Sequence, residues 1–395
     1  MNALALPSAQ PSLHFPALPP LTLYAHLPWC VRKCPYCDFN SYEARGAVAD
    51  GAYVETLLRD LQSEREFVDG RAVAAVFLGG GTPSLFGGSA IARLLDGVRG
   101  RIDLAADAEI TLEANPGAVD AARFAAFRAA GVNRLSIGVQ SFRNEQLRVL
   151  GRVHDDTAAR TAFATARAAG FDNVNLDLMY GLPGDSVDGA LADLEHAIAL
   201  APEHLSWYQL TIEPNTAFAH RPPPLPDDDA VAAIEARGRA LLAEAGYERY
   251  EISAYARPGK RCAHNLNYWQ FGDYLGLGAG AHGKLTLRAE GVIERRAKTR
   301  NPRTYAELGG SPGGVARERI ATARQAALEF LLNALRLVEG VDTALFAARA
   351  GQPLDGIRGG RDAAVARGWL AADAGSLRAT ALGLERLNRV LELFA

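Results

Sequence analysis

Between residues 21 and 210 the chain alternates short apolar runs with stretches of helical periodicity. That alternation restricts the fold of its 395 residues more than any other feature. Leu21–Leu27, Arg71–Leu78, a run ending near Glu113, Val132–Ile137, Asn173–Leu178 and Leu205–Leu210 read as strands. Apolar spacing near 3.6 predicts helices over Asp50–Phe67, Ser89–Val98, Asp120–Ala130, Thr157–Ala169 and Val187–Leu200. Strands that alternate with helices predict parallel β/α units, closed partly like a barrel or laid open as a doubly wound sheet. The strand ends favour the barrel. Cysteines follow the first strand, Gly79, Gly80 and Gly81 the second, and Glu113 with Asn115 mark the third. Gln140 follows the fourth, Asp177 ends the fifth and Gln209 nearly ends the sixth. A barrel gathers all these ends at one rim, whereas an open sheet concentrates its ligand at one switch point.

After Pro214 the pattern changes. Pro222, Pro223, Pro224 and Pro226 make a stiff connection, and Asp227, Asp228 and Asp229 are placed to cap a helix running to about Ala245. A β-hairpin is expected around Gly291, and Gly309–Gly314 is the expected linker. Helical spacing resumes near Ala321 and runs through Leu335, with later helices at Asp362–Arg367 and Glu385–Leu393 and a short strand pair near Trp369 and Leu377. The expected divisions are a loose lead-in over 1–20, a barrel core over 21–245, a connecting region over 246–310 and a small C-terminal domain over 311–395.

Charge excludes some functions. Lys and Arg number 42 against 45 Asp and Glu, a formal charge of −3, so phosphate-backbone binding is not expected. No apolar run has the ~20 residues of a membrane span, which leaves only peripheral membrane contact open. Residues 1–20 lack the basic head and apolar stretch of a secretory signal.

Three of the four cysteines, Cys30, Cys34 and Cys37, fall within eight residues, and Cys262 stands apart. Such crowding does not suit a secreted disulfide framework, so the thiols are expected to be reduced, metal-binding and cytoplasmic. In the spacing C-x3-C-x2-C, three thiolates can hold three irons of a four-iron, four-sulfur cluster and leave one iron open. Zinc is the competing reading, with Cys262 or His264 as fourth ligand.

The strings Tyr24–Ala25–His26–Leu27–Pro28–Trp29–Cys30 and Cys37–Asp38–Phe39–Asn40–Ser41 resemble the radical S-adenosylmethionine superfamily. So do Gly79–Gly80–Gly81–Thr82–Pro83–Ser84, Glu113–Ala114–Asn115–Pro116–Gly117, Ser136–Ile137–Gly138–Val139–Gln140–Ser141–Phe142 and Asn175 through Gly184. Within it the chain is similar to the branch of oxygen-independent coproporphyrinogen-III oxidase and its haem-chaperone relatives. The resemblance implies an α/β fold, a partial (β/α)6 radical-SAM barrel with a smaller, mainly helical C-terminal domain. It implies a [4Fe-4S] cluster on Cys30, Cys34 and Cys37, with S-adenosylmethionine on the open iron. It places contacts to that molecule at Tyr24, Gly80, Gly81, Thr82, Glu113, Gln140, Arg152 and Asp177. Glycines permit close backbone approach, and Arg152 offers a carboxylate a forked pair of donors. Each residue also has an ordinary reading: a core aromatic for Tyr24, a strand-to-helix turn for the glycines, a rim ion pair for Glu113 and Arg152. Phe39 is read as packing beside the cluster or filling the loop core.

Phe39 stands where the oxidase usually carries a further cysteine, and the lead-in before Tyr24 is short. His264–Asn265–Leu266–Asn267–Tyr268–Trp269 matches the HNxxYW feature of the haem-chaperone branch. The resemblance therefore implies haem binding, with His264 as iron ligand and Tyr268 or Trp269 flanking the macrocycle. It also implies transfer to an acceptor apoprotein, with respiratory proteins as candidates, and an electron donor if radical chemistry operates. A polar turn with the aromatics in a domain seam is the structural alternative. His26, read as positioning the cysteine loop, His154 and His282 are weaker candidates, and Cys262 is read as a passive thiol. No catalytic residue is assigned. The oxidase is the alternative enzyme reading.

Overall fold

The computed structural model describes residues 13–395. Six parallel strands form its centre: β1 (Leu21–Leu27), β2 (Val73–Gly80), β3 (Leu104–Ala114), β4 (Arg134–Gln140), β5 (Val174–Tyr180) and β6 (His204–Gln209). Between them run α1 (Asp50–Glu64), α2 (Gly88–Arg99), α3 (Ala121–Ala130), α4 (Asn144–Val149), α5 (Asp156–Ala168) and α6 (Val187–Ala199). Local chemistry starts several of these helices: Asp120, Asp155 and Ser186 accept the amides of Arg123, Ala158 and Gly189. The short α4 was not expected from the sequence. As expected, Asp227 caps α7 (Asp228–Glu244) through the Ala230 amide.

Alternation along the strands sorts the side chains. Leu21, Leu23, Ala25 and Leu27 of β1 enter the apolar layer beneath the helices, as do Ile110, Leu112 and Ala114 of β3 and Leu135, Ile137 and Val139 of β4. The opposite face carries His26, Glu113, Ser136, Asp177 and Tyr208. Period-two geometry thus separates an apolar outside from an unusually polar inside.

The sheet continues beyond the six strands. It has twelve, in the order β12-β11-β10-β9-β1-β2-β3-β4-β5-β6-β8-β7, and it does not close. The additional strands are β7 (Glu248–Arg249), β8 (Ala254–Ala256), β9 (Asp273–Leu277), β10 (His282–Leu287), β11 (Val292–Lys298) and β12 (Val315–Ile320). β9 lies parallel to β1 and was missed in the sequence; β10 and β11 are the hairpin expected around Gly291.

Two expected divisions need correction. Val315–Ile320 was placed in the small C-terminal domain, yet it is the edge strand β12, paired with β11 from Ile293↔Ile320 to Lys298↔Val315. The expected linker is thereby tied into the sheet, and the Thr299 amide donates to Gly314 O. The loose lead-in over 1–20 does not hold from residue 13 onward. Leu13 and Phe15 are buried among Phe330, Phe346 and their neighbours, and the Leu13 and His14 amides donate to Gly291 O and Gly351 O. Residues 1–12 of that lead-in lie outside the described residues.

The helix Ala323–Ala334 begins a mainly helical C-terminal layer whose strand pair joins Val341–Asp342 to Ser376–Leu377, with a further bridge between Leu370 and Ala379. The helix expected over Glu385–Leu393 is broken into Ala381–Glu385 and Leu387–Leu391. Phe15→Ala is expected to destabilise the protein by about 3 kcal/mol through the cavity it opens, read by urea unfolding. An unchanged midpoint would show that this segment does not contribute to the core.

Candidate functional site

The cysteine loop leaves β1 at Leu27 and is stapled at its base, where Trp29 and Cys30 pair with Tyr42 and Glu43. Its far side is held by backbone bonds to the end of β2: Gly81 N donates to Leu27 O at 2.9 Å and Thr82 N to Trp29 O at 2.7 Å. The glycines are sterically required. A Cβ on Gly80, whose φ is +117°, would meet the His26 ring at 2.6 Å, and one on Gly81 would lie 2.6 Å from Trp29 O.

His26 fixes the loop from within, as its weaker reading anticipated. Its Nε2–H donates to Asn40 O at 3.0 Å, which leaves Nδ1 to accept the Tyr24 hydroxyl at 2.9 Å. Asn40 Nδ2 in turn donates to Ala279 O and Arg300 O, each at 2.8 Å.

Cys30, Cys34 and Cys37 are free and half-buried. They line one cavity of about 370 Å³ together with Gly80, Gly81, Thr82, Glu113, Gln140, Arg152 and Asp177. Burial pushes the Cys30 and Cys37 thiols up, so metal binding must displace protons there. Among the described residues, no three His, Cys, Asp or Glu side chains converge on a single metal ion. The three thiols nevertheless border the same chamber. Cys262 does not join them: its Sγ–H donates to Glu109 Oε1 at 3.3 Å in the barrel interior.

The donors for a small polar ligand are set around the same chamber. Arg152 Nη2 donates to Gly138 O at 2.6 Å and Nη1 lies 3.6 Å from Cys34 Sγ, while its buried Nε has no partner. Gln140 adopts a left-handed φ of +71° where β4 slips register against β5, and its Oε1 accepts the Tyr208 hydroxyl at 2.8 Å. Asp177 accepts from Ser136 Oγ and Asn175 Nδ2, yet burial still raises its pKa. Ser136, Met179 and Tyr208 also line the cavity and were not singled out in the sequence, although the polar alternation of β4–β6 marks two of them.

Tyr24 and His264 do not line this chamber. They line a second one of about 560 Å³, with His26, Tyr268, Tyr274, His282 and Arg300 among its other walls. Asp38, Phe39, Gly80 and Glu113 border both. Phe39 fills no loop core and is 59% exposed. His264 is buried, 5.1 Å from Phe77 and 6.3 Å from Tyr24 between ring centroids, and its Nδ1 has no partner. Burial, then Arg134, lowers its pKa to about 4, so the imidazole is neutral.

The helix bearing it, α8 (Ala263–Trp269), starts on Glu109. Glu109 Oε1 accepts the Ala263 amide at 3.0 Å and that of His264 at 3.5 Å, besides the Cys262 thiol. Asn267 braces the helix by donating to Asp273 O and Thr22 Oγ1. Tyr268 faces the chamber, whereas Trp269 lies in the seam with the C-terminal layer, under Arg336 at 4.4 Å. His154 is spent structurally, donating Nε2–H to Val139 O at 3.0 Å.

The model described as the Radical SAM superfamily matches residues 24–197, and that of the HemN C-terminal domain matches 321–385. The chain is 52% identical over 377 residues to "Heme chaperone HemW" of Escherichia coli (strain K12), covering 95% of this chain and 98% of that protein. It is 46% identical over 383 residues to the protein of the same name in Haemophilus influenzae, covering 96% and 99%. The chain belongs to the HemW family of radical SAM proteins. Family membership brings a [4Fe-4S] cluster and S-adenosylmethionine. The thiol chamber fits both groups: three free thiols supply the cluster, the Arg152 Nε has no partner, and the Gly80–Gly81 turn, without side chains, leaves room for a polar ligand. The coproporphyrinogen III oxidase (HemN) of Escherichia coli shares the fold, with a TM-score of 0.81 at 24% identity over 95% of this chain and 90% of that one.

Burial, then the Asp177 carboxylate, raises Glu113 from 4.5 to about 8 despite the Gly80 amide it accepts. Between those values the unfolded chain releases the proton and the folded chain keeps it, so this group lowers stability as pH rises. Glu113→Gln is expected to flatten that decline in cluster-free protein unfolded by urea across the same window. Parallel slopes for the two proteins would show that Glu113 ionises normally. Glu109→Ala strands three donors and the nearby Arg134 charge, and is expected to cost about 3 kcal/mol in the same assay.

Proposed function

We propose that this chain binds haem and hands it to an acceptor apoprotein. Cys30, Cys34 and Cys37 hold a [4Fe-4S] cluster in this reading, and S-adenosylmethionine lies beside it in the first chamber. The observation that carries the proposal is the buried, neutral imidazole of His264, a residue that lines the second chamber and whose Nδ1 has no partner. A neutral imidazole offers the lone pair that an iron ligand needs. Likeness over nearly the whole chain to proteins named heme chaperones supports the same reading.

When bound, the cluster and S-adenosylmethionine supply one-electron chemistry at a sulfonium centre. The chain's own residues do the rest. Gly80 and Gly81 allow the backbone to approach the ligand, Arg152 orients a carboxylate, and Gln140 and Asp177 meet its polar groups. Glu113 keeps its proton and presents a neutral wall between the chambers. Tyr24, expected among these contacts, is assigned instead to the second chamber, with Phe39 at the mouth of both.

No helix is long and apolar enough to cross a membrane among the described residues. The acceptor in this reading is a respiratory apoprotein in a reducing cytoplasm, and a separate electron donor serves the cluster. Anaerobic titration of cluster-loaded protein should give one haem per chain, and His264→Ala should weaken binding at least about tenfold. Unchanged binding by that variant would reject His264 as the ligand. Conversion of coproporphyrinogen III by the same preparation would favour the oxidase reading instead.

A further inference from the structure

Haem is a flat macrocycle with both carboxylates on one edge, so a chamber that receives it should itself have a charged edge and an uncharged one. The second chamber offers an arginine for the charged edge. It shares Asp38, Phe39, Gly80 and Glu113 with the first chamber, and burial holds the Glu113 carboxyl well above the usual range. On its walls stand Arg300 and His282. Among the described residues the Arg300 guanidinium makes no ion pair and no hydrogen bond. Its backbone is nevertheless fixed, because Arg300 O accepts Asn40 Nδ2 at 2.8 Å and the Tyr42 hydroxyl at 3.2 Å. By contrast, the other arginine near this wall is engaged: Arg295 Nη1 donates to the Tyr274 hydroxyl at 2.9 Å and also pairs with Glu329. Tyr24, Tyr268 and Tyr274 supply flat surfaces in the same chamber.

We infer that Arg300 anchors the carboxylate edge of the macrocycle, with His282 beside it. This rests on the haem reading above and adds a carboxylate anchor to it.

Cluster-loaded protein titrated anaerobically with haem and with haem dimethyl ester separates the two ideas. The wild-type chain should prefer the free diacid by about tenfold, the worth of one charge-assisted pair at a partly open rim. Arg300→Ala should weaken the diacid by a similar factor, leave the ester within twofold and so erase the preference, while Arg300→Lys restores part of it. His264→Ala should alter the Soret band with both forms and keep the preference. An Arg300→Ala protein that still prefers the diacid as the wild type does would overturn the inference. Loss of the preference in that variant, with a His264→Ala spectrum like the wild type, would instead keep the carboxylate anchor and reject the iron ligand.

Discussion

The end of β2 lies so close to the loop of cysteines that neither Gly80 nor Gly81 has room for a Cβ, and this contact organises everything around it. It brings two backbone bonds onto Leu27 and Trp29, clamps the His26 ring and leaves the glycines themselves bordering the thiol chamber. Because β1 to β6 are parallel, their carboxyl ends reach the same rim, and residues far apart in sequence meet there. The thiols come from after β1, Glu113 from β3, Gln140 from β4 and Asp177 from β5.

The barrel interior behind that rim is polar rather than packed with branched apolar residues. Its groups are bound to one another. His204 donates Nδ1–H to Asn175 Oδ1 at 2.6 Å and accepts the Tyr250 hydroxyl at 2.9 Å, and Asn175 reaches Asp177. Such networks are stable only when nearly every donor finds an acceptor. The exceptions include Arg152 Nε and His264 Nδ1, on residues lining the two chambers, and Arg134 Nε, 3.9 Å from Glu109.

The six central strands and the cysteine site were legible because they rest on local signals. Strand periodicity and strand-end chemistry appear within a few residues, and C-x3-C-x2-C is contiguous. The separation of Tyr24 from the thiol chamber was not legible, since it accompanies a hydroxyl bond to His26 that strand periodicity does not reveal. Nor was Glu109, whose partners lie more than 150 positions away. β9 was hidden because a central parallel strand gains its place from neighbours distant in the chain, and Val315–Ile320 because glycines ahead of it look like a linker. The HNxxYW string was read as one unit, yet the structure divides its labour: His264 and Tyr268 face the chamber, Asn267 braces the helix and Trp269 fastens the C-terminal layer.

Asn40 sits in the loop of metal ligands, takes the His26 proton on its carbonyl, and reaches across with its side-chain amide to Ala279 and Arg300. One residue therefore belongs to the scaffolds of both compartments. Damage that disordered the sulfur-bearing loop would also slacken the rim of its neighbour. A molecule with a ruined redox centre would be a poor carrier, so intactness at one end is a condition of grip at the other.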